Sequence, residues 1–223
     1  MKLKEAYKQL NKLSYIKFKD LFSSEEMETI IVNKGKTGQL LELALGMNLS
    51  NTNLDFEDGE LKTNKCDKKG NPKETVFITQ ISSIIDELIQ IKPFEETHLY
   101  EKIKNILYVP VCKEGKPKDW MFLSSISVNL SNKKFALLKK ALCQDYHLIC
   151  QELKEYIENS QDGYIHTSNG IYMQIRSKDS KPYHPIYSDI YGRYVSNKNH
   201  AFYFRKEFVR EIGRMSGCYD RMD

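Results

Sequence analysis

The sequence predicts an α/β fold, and three observations point to it. Apolar residues recur at helical spacing over 3–13 and again over 134–157. Between them stand short alternating or apolar runs, as in GELKT, VFITQ, NILYVPV and GIYMQIRSK, and Gly- or Pro-bearing segments separate these runs. The chain's 223 residues suit one domain over 1–223, with a full-sized core or a cleft dividing it into two lobes. Lys and Arg number 34 against 30 Asp and Glu, a net of +4, which permits a nucleic-acid partner without demanding one. The five cysteines are odd in number and lack C-x-x-C spacing, which argues against a disulfide framework or a zinc cluster. The opening MKLKEAYKQLNKL has no long apolar run, and no stretch approaches a membrane span, so a cytoplasmic protein without a membrane partner is expected.

Taken in order, residues 3–13 read as a helix, and FSSEEMETII carries a capping signal, Ser followed by Glu three residues on. Lys34 and Lys36 sit where a loop meets the next helix, with Gly35 and Gly38 allowing a tight approach. That helix, GQLLELALG, holds Glu42 among leucines, and an acid on so apolar a helix is costly unless it faces a cleft, a partner or a metal. Asp55 follows in LDF, then the strand GELKT, where alternation puts Glu60 and Lys62 on one face and turns Leu61 into the core. Carboxylates of this kind hold a hard divalent cation, and a lysine ammonium beside them can orient a water and steady charge developing on a phosphate.

NKCDKKGNPKET then reads as the basic turn of a hairpin whose second strand lies in VFITQISSII, and 84–97 as an excursion. YEKIKNILYVPV reads as a central strand with Lys102 and Lys104 at its start and Pro110 near its end. KEGKPKDW is a turn and WMFLSSISVNL another strand. Residues 134–157 make a long amphipathic helix, on which His147 and Cys150 read as structural. GIYMQIRSK is a strand running into a basic loop, and the aromatic-rich DSKPYHPIYSDIYGRY follows. Its tyrosines and Arg193 either pack the loop or form a groove-reading surface.

E-x-K alone is a weak signal, because alternating charges occur on any solvated strand face. A helix-borne Glu, then Asp, then Glu-x-Lys is the order of the PD…(D/E)xK nucleases. The flanking Lys34-Gly35, Gly38, Leu40-Leu41-Glu42, Leu45-Gly46, Asp55-Phe56 and Glu60-Leu61-Lys62-Thr63 resemble the MutH family. That family holds the mismatch-repair nicking enzyme and related type II restriction endonucleases acting at GATC. The likeness runs on through Gly70, Pro72, Glu74-Thr75 and Phe77 to AFYFRKEF, and Asp145-Tyr146 echoes an acidic-aromatic pair on the family's helix behind the core.

The resemblance implies a restriction-endonuclease-like mixed sheet with helices on both sides and two lobes around a DNA cleft. It implies Mg2+-dependent hydrolysis of duplex DNA, with Asp55 and Glu60 as metal ligands, Glu42 as a further acidic ligand or a group supporting them from behind, and Lys62 placing the attacking water. By the same likeness Lys34, Phe77 and Lys102 approach the DNA, Arg176 and Lys178 reach into the major groove, and Tyr203 senses adenine methylation. The Tyr187-Ser188-Asp189-Ile190 segment looks like the restriction branch, so a methylation-sensitive type II restriction enzyme, pairing transiently with a second copy on DNA, is the leading expectation. A repair nickase driven by a MutL-like activator and a non-catalytic DNA-binding module are the alternatives. One departure stands: the family has a slightly longer gap between its aspartate and E-L-K, which leaves Asp58 as the rival to Asp55.

Overall fold

The computed structural model describes residues 1–32, 37–46 and 54–217. Lys34 and Lys36 therefore lie outside the described residues. Helices α1 (Leu3–Leu13), α2 (Phe18–Leu21), α3 (Ser24–Val32) and α4 (Thr37–Ala44) come first, before strands β1 (Glu60–Cys66) and β2 (Val76–Gln80). Next are α5 (Ile85–Ile89), α6 (His98–Ile103), β3 (Asn105–Cys112), β4 (Met121–Phe122) and β5 (Ile126–Asn129). The long α7 (Ala136–Asn159) leads to β6 (Ser168–Asn169), β7 (Met173–Ser177), β8 (Ile186–Ser188), β9 (Arg193–Ser196), β10 (His200–Phe204) and α8 (Lys206–Ser216).

Contacts divide the described residues into two compact units, one drawn from within 1–76, 104–129 and 209–217, the other from 77–103 and 130–208. The first is built on a mixed sheet. β1 and β3 run parallel, from Glu60 beside Ile106 to Cys66 beside Cys112, while β4 and β5 both pair antiparallel with β3. Ile106–Cys112 is buried throughout, as a central strand covered on both faces must be. Leu3, Ala6 and Leu10 form the inward stripe of α1 and share a core with Phe18, Leu41, Leu107 and Phe122. Each large apolar side chain so buried contributes roughly 1.5–3 kcal/mol. The capping signal is realised at α3: Glu26 N–H donates to Ser23 Oγ, and Ser23 N–H to Glu26 Oε2 over 2.8 Å.

The second unit holds a four-stranded sheet ordered β2-β10-β7-β6 and a separate β8–β9 ribbon. Leu138, Leu142, Tyr146, Ile149 and Leu153, at spacings of three and four, are the buried face of α7.

Two readings of the sequence change here. β1 and β2 are not hairpin partners. The basic turn does double back, with Lys73 N–H donating to the Lys65 carbonyl over 2.9 Å, but β1 pairs with β3 whereas β2 joins the sheet of β10. Lys102 and Lys104 lie at the entrance to β3: Lys102 is on α6, where Leu99, Tyr100 and Ile103 are buried at helical spacing, and extended backbone begins at Asn105. WMFLSSISVNL makes two short strands, both on β3, in place of one.

Candidate active site

The turn before β1 brings the acids together. Phe56 N–H donates to the Gly59 carbonyl over 2.9 Å, closing a tight loop, and a Cβ at Gly59 would lie 2.5 Å from the Asn105 carbonyl oxygen. Only glycine admits β3 that close. The loop folds Asp55 back so that its Oδ2 accepts the Leu61 N–H over 2.8 Å, beside Glu60. Glu60 is buried, 3% exposed, and its Oε2 accepts from Lys62 Nζ over 2.7 Å. Leu61 between them is buried, as the alternation requires. α4 presents Glu42, half-buried, to the same charges: burial and then the charges of Asp55 and Glu60 raise its carboxyl above the usual range, while Lys62 pulls the other way. Burial first, and the Glu60 charge second, also raise Asp55. Four side chains, from α4, the turn and β1, thus share one field.

Asp58, the rival to Asp55, is engaged elsewhere. Its Oδ1 accepts the Leu3 N–H at the start of α1 over 2.8 Å. The shorter gap is absorbed by the turn, which leaves Asp55 beside Glu60.

Mutually repelling, partly desolvated carboxylates fit a divalent cation, which would relieve the repulsion that raises Asp55 and Glu42. Among the described residues no group of three or more His, Cys, Asp or Glu is arranged to hold a metal ion.

The second unit carries a basic and aromatic face. Arg176 and Lys178, two apart at the end of β7, point the same way; β10 opposes Arg176 with Ala201 and Gln174 with Tyr203. The small Ala201 leaves room for the Arg176 guanidinium to lie 4.3 Å from the centre of the Tyr203 ring. Lys178 Nζ lies 3.3 Å from the centre of Phe77, whose ring meets Tyr203 edge-on at 5.8 Å. Phe77, Arg176, Lys178 and Tyr203, four residues expected at DNA, therefore form one continuous cluster. Lys102 is half-buried on α6.

Other polar residues fix the backbone of this unit; Asp145 lies on the long helix as the resemblance implied, Arg193 takes the loop-packing role of its two readings, and the part played by Asp179 went unread. Asp145, 3% exposed, accepts from the N–H groups of Ile171, Tyr172 and Met173 over 2.6–2.9 Å, fixing the lead into β7. A Cβ at Gly170 would fall 2.3 Å from Asp145 Cγ. Asp179, just past Lys178, accepts the N–H groups of Asn199 and His184, which hold its carboxyl well below the usual range. Arg193 is committed to backbone: Nη1 donates to the Gly163 carbonyl and Nη2 to the Ile157 carbonyl. Ser188 is fully buried and donates to Asp86 Oδ1 over 2.5 Å, tying β8 to α5. For Asp179 the general signal was residue type, since Asp at turns commonly accepts from nearby backbone N–H groups.

No helix among the described residues is long and apolar enough to cross a membrane. A family model described as the DNA mismatch repair enzyme MutH matches residues 46–140. A DNA mismatch repair protein MutH from Buchnera aphidicola subsp. Baizongia pistaciae is 28% identical over 195 residues, 84% of either chain. One from Shewanella woodyi is 30% identical over 151 residues, 66% of this chain and 61% of that relative.

Proposed function

We propose that this chain, which belongs to the MutH family of endonucleases, is a Mg2+-dependent nuclease that cuts duplex DNA at a short site, GATC or close to it. The observation that carries the reading is the grouping at the head of β1: Asp55 beside a buried Glu60, with Lys62 Nζ 2.7 Å from Glu60. Asp55 and Glu60 would hold the metal, with Glu42 behind them. The metal, when bound, supplies Lewis acidity to the phosphate and its attacking water. Lys62 orients that water and offsets charge developing on the phosphate oxygens. Lys34 and Lys102 serve as phosphate contacts that fix register, and Phe77, Arg176, Lys178 and Tyr203 read the site, because only groups reaching base edges choose a sequence. The catalytic and the reading residues serve one duplex as parts of a single endonuclease domain over 1–223 in the cytoplasm.

Both relatives are named for mismatch repair, and this favours a nickase acting on the unmethylated strand with a MutL-like ATPase. The second reading is a type II restriction enzyme that pairs on DNA, favoured by the Tyr187-Ser188-Asp189-Ile190 segment, which resembles that branch. One experiment separates them: digestion of methylated, hemimethylated and unmethylated plasmid with Mg2+, with and without such an ATPase. Nicks that require the ATPase mean repair. Double-strand breaks by the chain alone mean restriction, and intact plasmid throughout means a binding module.

A further inference from the structure

The reading face ends in a polar clamp that no part of the proposed chemistry uses. The β7–β10 ladder closes its last pair at Ser177 with His200, and one step further Lys178 N–H donates to the Asn199 carbonyl over 2.9 Å. Beyond that point a ladder would fray. Here the side chain of Asp179 takes over: Oδ2 accepts the Asn199 N–H over 2.8 Å and the His184 N–H over 2.7 Å, and Oδ1 accepts the Ser180 N–H over 2.9 Å and His184 Nδ1 over 2.8 Å. The Asp179 side chain is only 4% exposed although His184 is 72% exposed, so the carboxylate sits inside the turn it organises. Asn199 is itself pinned to the neighbouring strand, donating from Nδ2 to Gln80 Oε1 over 2.9 Å. One carboxylate thus ties the ends of β7 and β10, and through Asn199 the end of β2, at the edge from which Arg176, Lys178 and Phe77 project.

We propose that Asp179 is a positioning residue for sequence discrimination, fixing the backbone beyond Lys178 so that Arg176 and Lys178 meet base edges in one geometry. The inference rests on the reading that Arg176 and Lys178 contact bases. A bidentate arginine–guanine contact depends on two bonds at once, so a guanidinium whose strand end wanders loses discrimination before it loses charge. The phosphate attraction, being long-ranged and tolerant of position, persists.

The test is the ratio of affinities for a GATC duplex and the same duplex with the site scrambled, measured on the full chain with Ca2+ replacing Mg2+ to suppress cutting. Asp179→Asn keeps size but places an N–H2 among donors, and it should lower the ratio by about tenfold, with scrambled-site affinity unchanged. His184→Ala removes one partner from the exposed side and should lower the ratio by a smaller factor. It serves as the deciding variant should Asp179→Asn fail to fold. Asp179→Asn combined with Arg176→Ala should discriminate no worse than Arg176→Ala alone, a non-additivity that a merely structural loss would not give. If Arg176→Ala lowers the ratio while folded Asp179→Asn leaves it unchanged, or the deciding His184→Ala does, the clamp has no part in reading and the proposal fails. If Arg176→Ala itself leaves the ratio unchanged, the base-reading assignment falls first and takes the proposal with it.

Discussion

Lys62 Nζ lies 2.7 Å from Glu60 Oε2, the two residues sharing one face of β1 with the buried Leu61 between them. The pair is largely enclosed, with side-chain exposures of 12% and 4%, so the ammonium works where its charge is weakly screened. A cation held this way acts on charge that develops during the reaction more than on the ground state. Lys62→Ala is expected to cut the single-turnover rate by about 100-fold or more while site-specific binding changes little. Rate and affinity falling by the same factor would instead make Lys62 a phosphate anchor.

Asp55 and Asp58 should give opposite phenotypes, because the turn closed by Phe56 and Gly59 sends their carboxylates to different partners. Asp55→Ala is expected to abolish cleavage and retain binding. Asp58→Ala is expected to cleave normally but to lose about 0.5–2 kcal/mol of stability, the cost of a lost side-chain acceptor at a helix start. Plasmid cleavage together with urea unfolding checks both, and a dead Asp58→Ala with an active Asp55→Ala would reverse the ligand assignment.

The parts legible in the sequence are those set by local periodicity. Glu60 and Lys62 share a face because strand side chains alternate, and the capping pair of Ser23 and Glu26 closes within four residues. What stayed hidden depends on distant partners. Lys65 to Lys73 does turn back as a hairpin would, yet the choice between pairing β2 with β1 and pairing it with β10 is made by residues far along the chain, as where Ile81 N–H donates to the His200 carbonyl. Lys102 looked like the lead into a strand because Ile, Leu and Val follow it, while the helix it occupies is set by the burial of Leu99, Tyr100 and Ile103. Asp179 could be recognised as a turn residue, but its hold on Asn199 joins positions 20 apart.

The acid pair also makes stability depend on pH. Burial, and then the Glu60 charge, raise the Asp55 carboxyl in the folded protein above its unfolded value. The native state therefore binds that proton more tightly. Its contribution is fully present below the ordinary carboxylate pKa of about 4 and is lost as pH rises through the folded value. In chelator at pH 7, Asp55→Asn should melt higher than the unaltered protein, because it removes the repulsion and keeps an acceptor for the Leu61 N–H. Near pH 3.5 the two should melt alike, and Mg2+ at pH 7 should favour the unaltered protein. A lower melting temperature for Asp55→Asn at pH 7 in chelator would mean that the carboxylate is stabilised by its surroundings.

The two arginines of the carboxy-terminal loops offer the sharpest contrast, since residue type alone makes them equal candidates for reading DNA. Arg193 is turned to backbone: Nη1 and Nη2 donate to the carbonyls of Gly163 and Ile157, the second near the end of α7, at 2.9 and 2.8 Å. Arg176 instead is exposed and has its guanidinium carbon 4.3 Å from the centre of the Tyr203 ring, and a guanidinium can hold a bidentate partner. Arg193→Ala should therefore cost stability, about 1–3 kcal/mol for carbonyls that lose a charged donor, and leave the preference for the cognate site intact. Arg176→Ala should do the reverse, lowering cognate cleavage far more than binding to random DNA and barely moving the unfolding midpoint. Tyr203→Ser should behave as a partial version of Arg176→Ala and also narrow the difference between methylated and unmethylated substrates, because it removes the surface on which the guanidinium lies. Cleavage of a panel of duplexes carrying one altered base pair each, read beside thermal melts, measures all three. Loss of specificity in Arg193→Ala with its stability intact would move the reading role from β7 to β9.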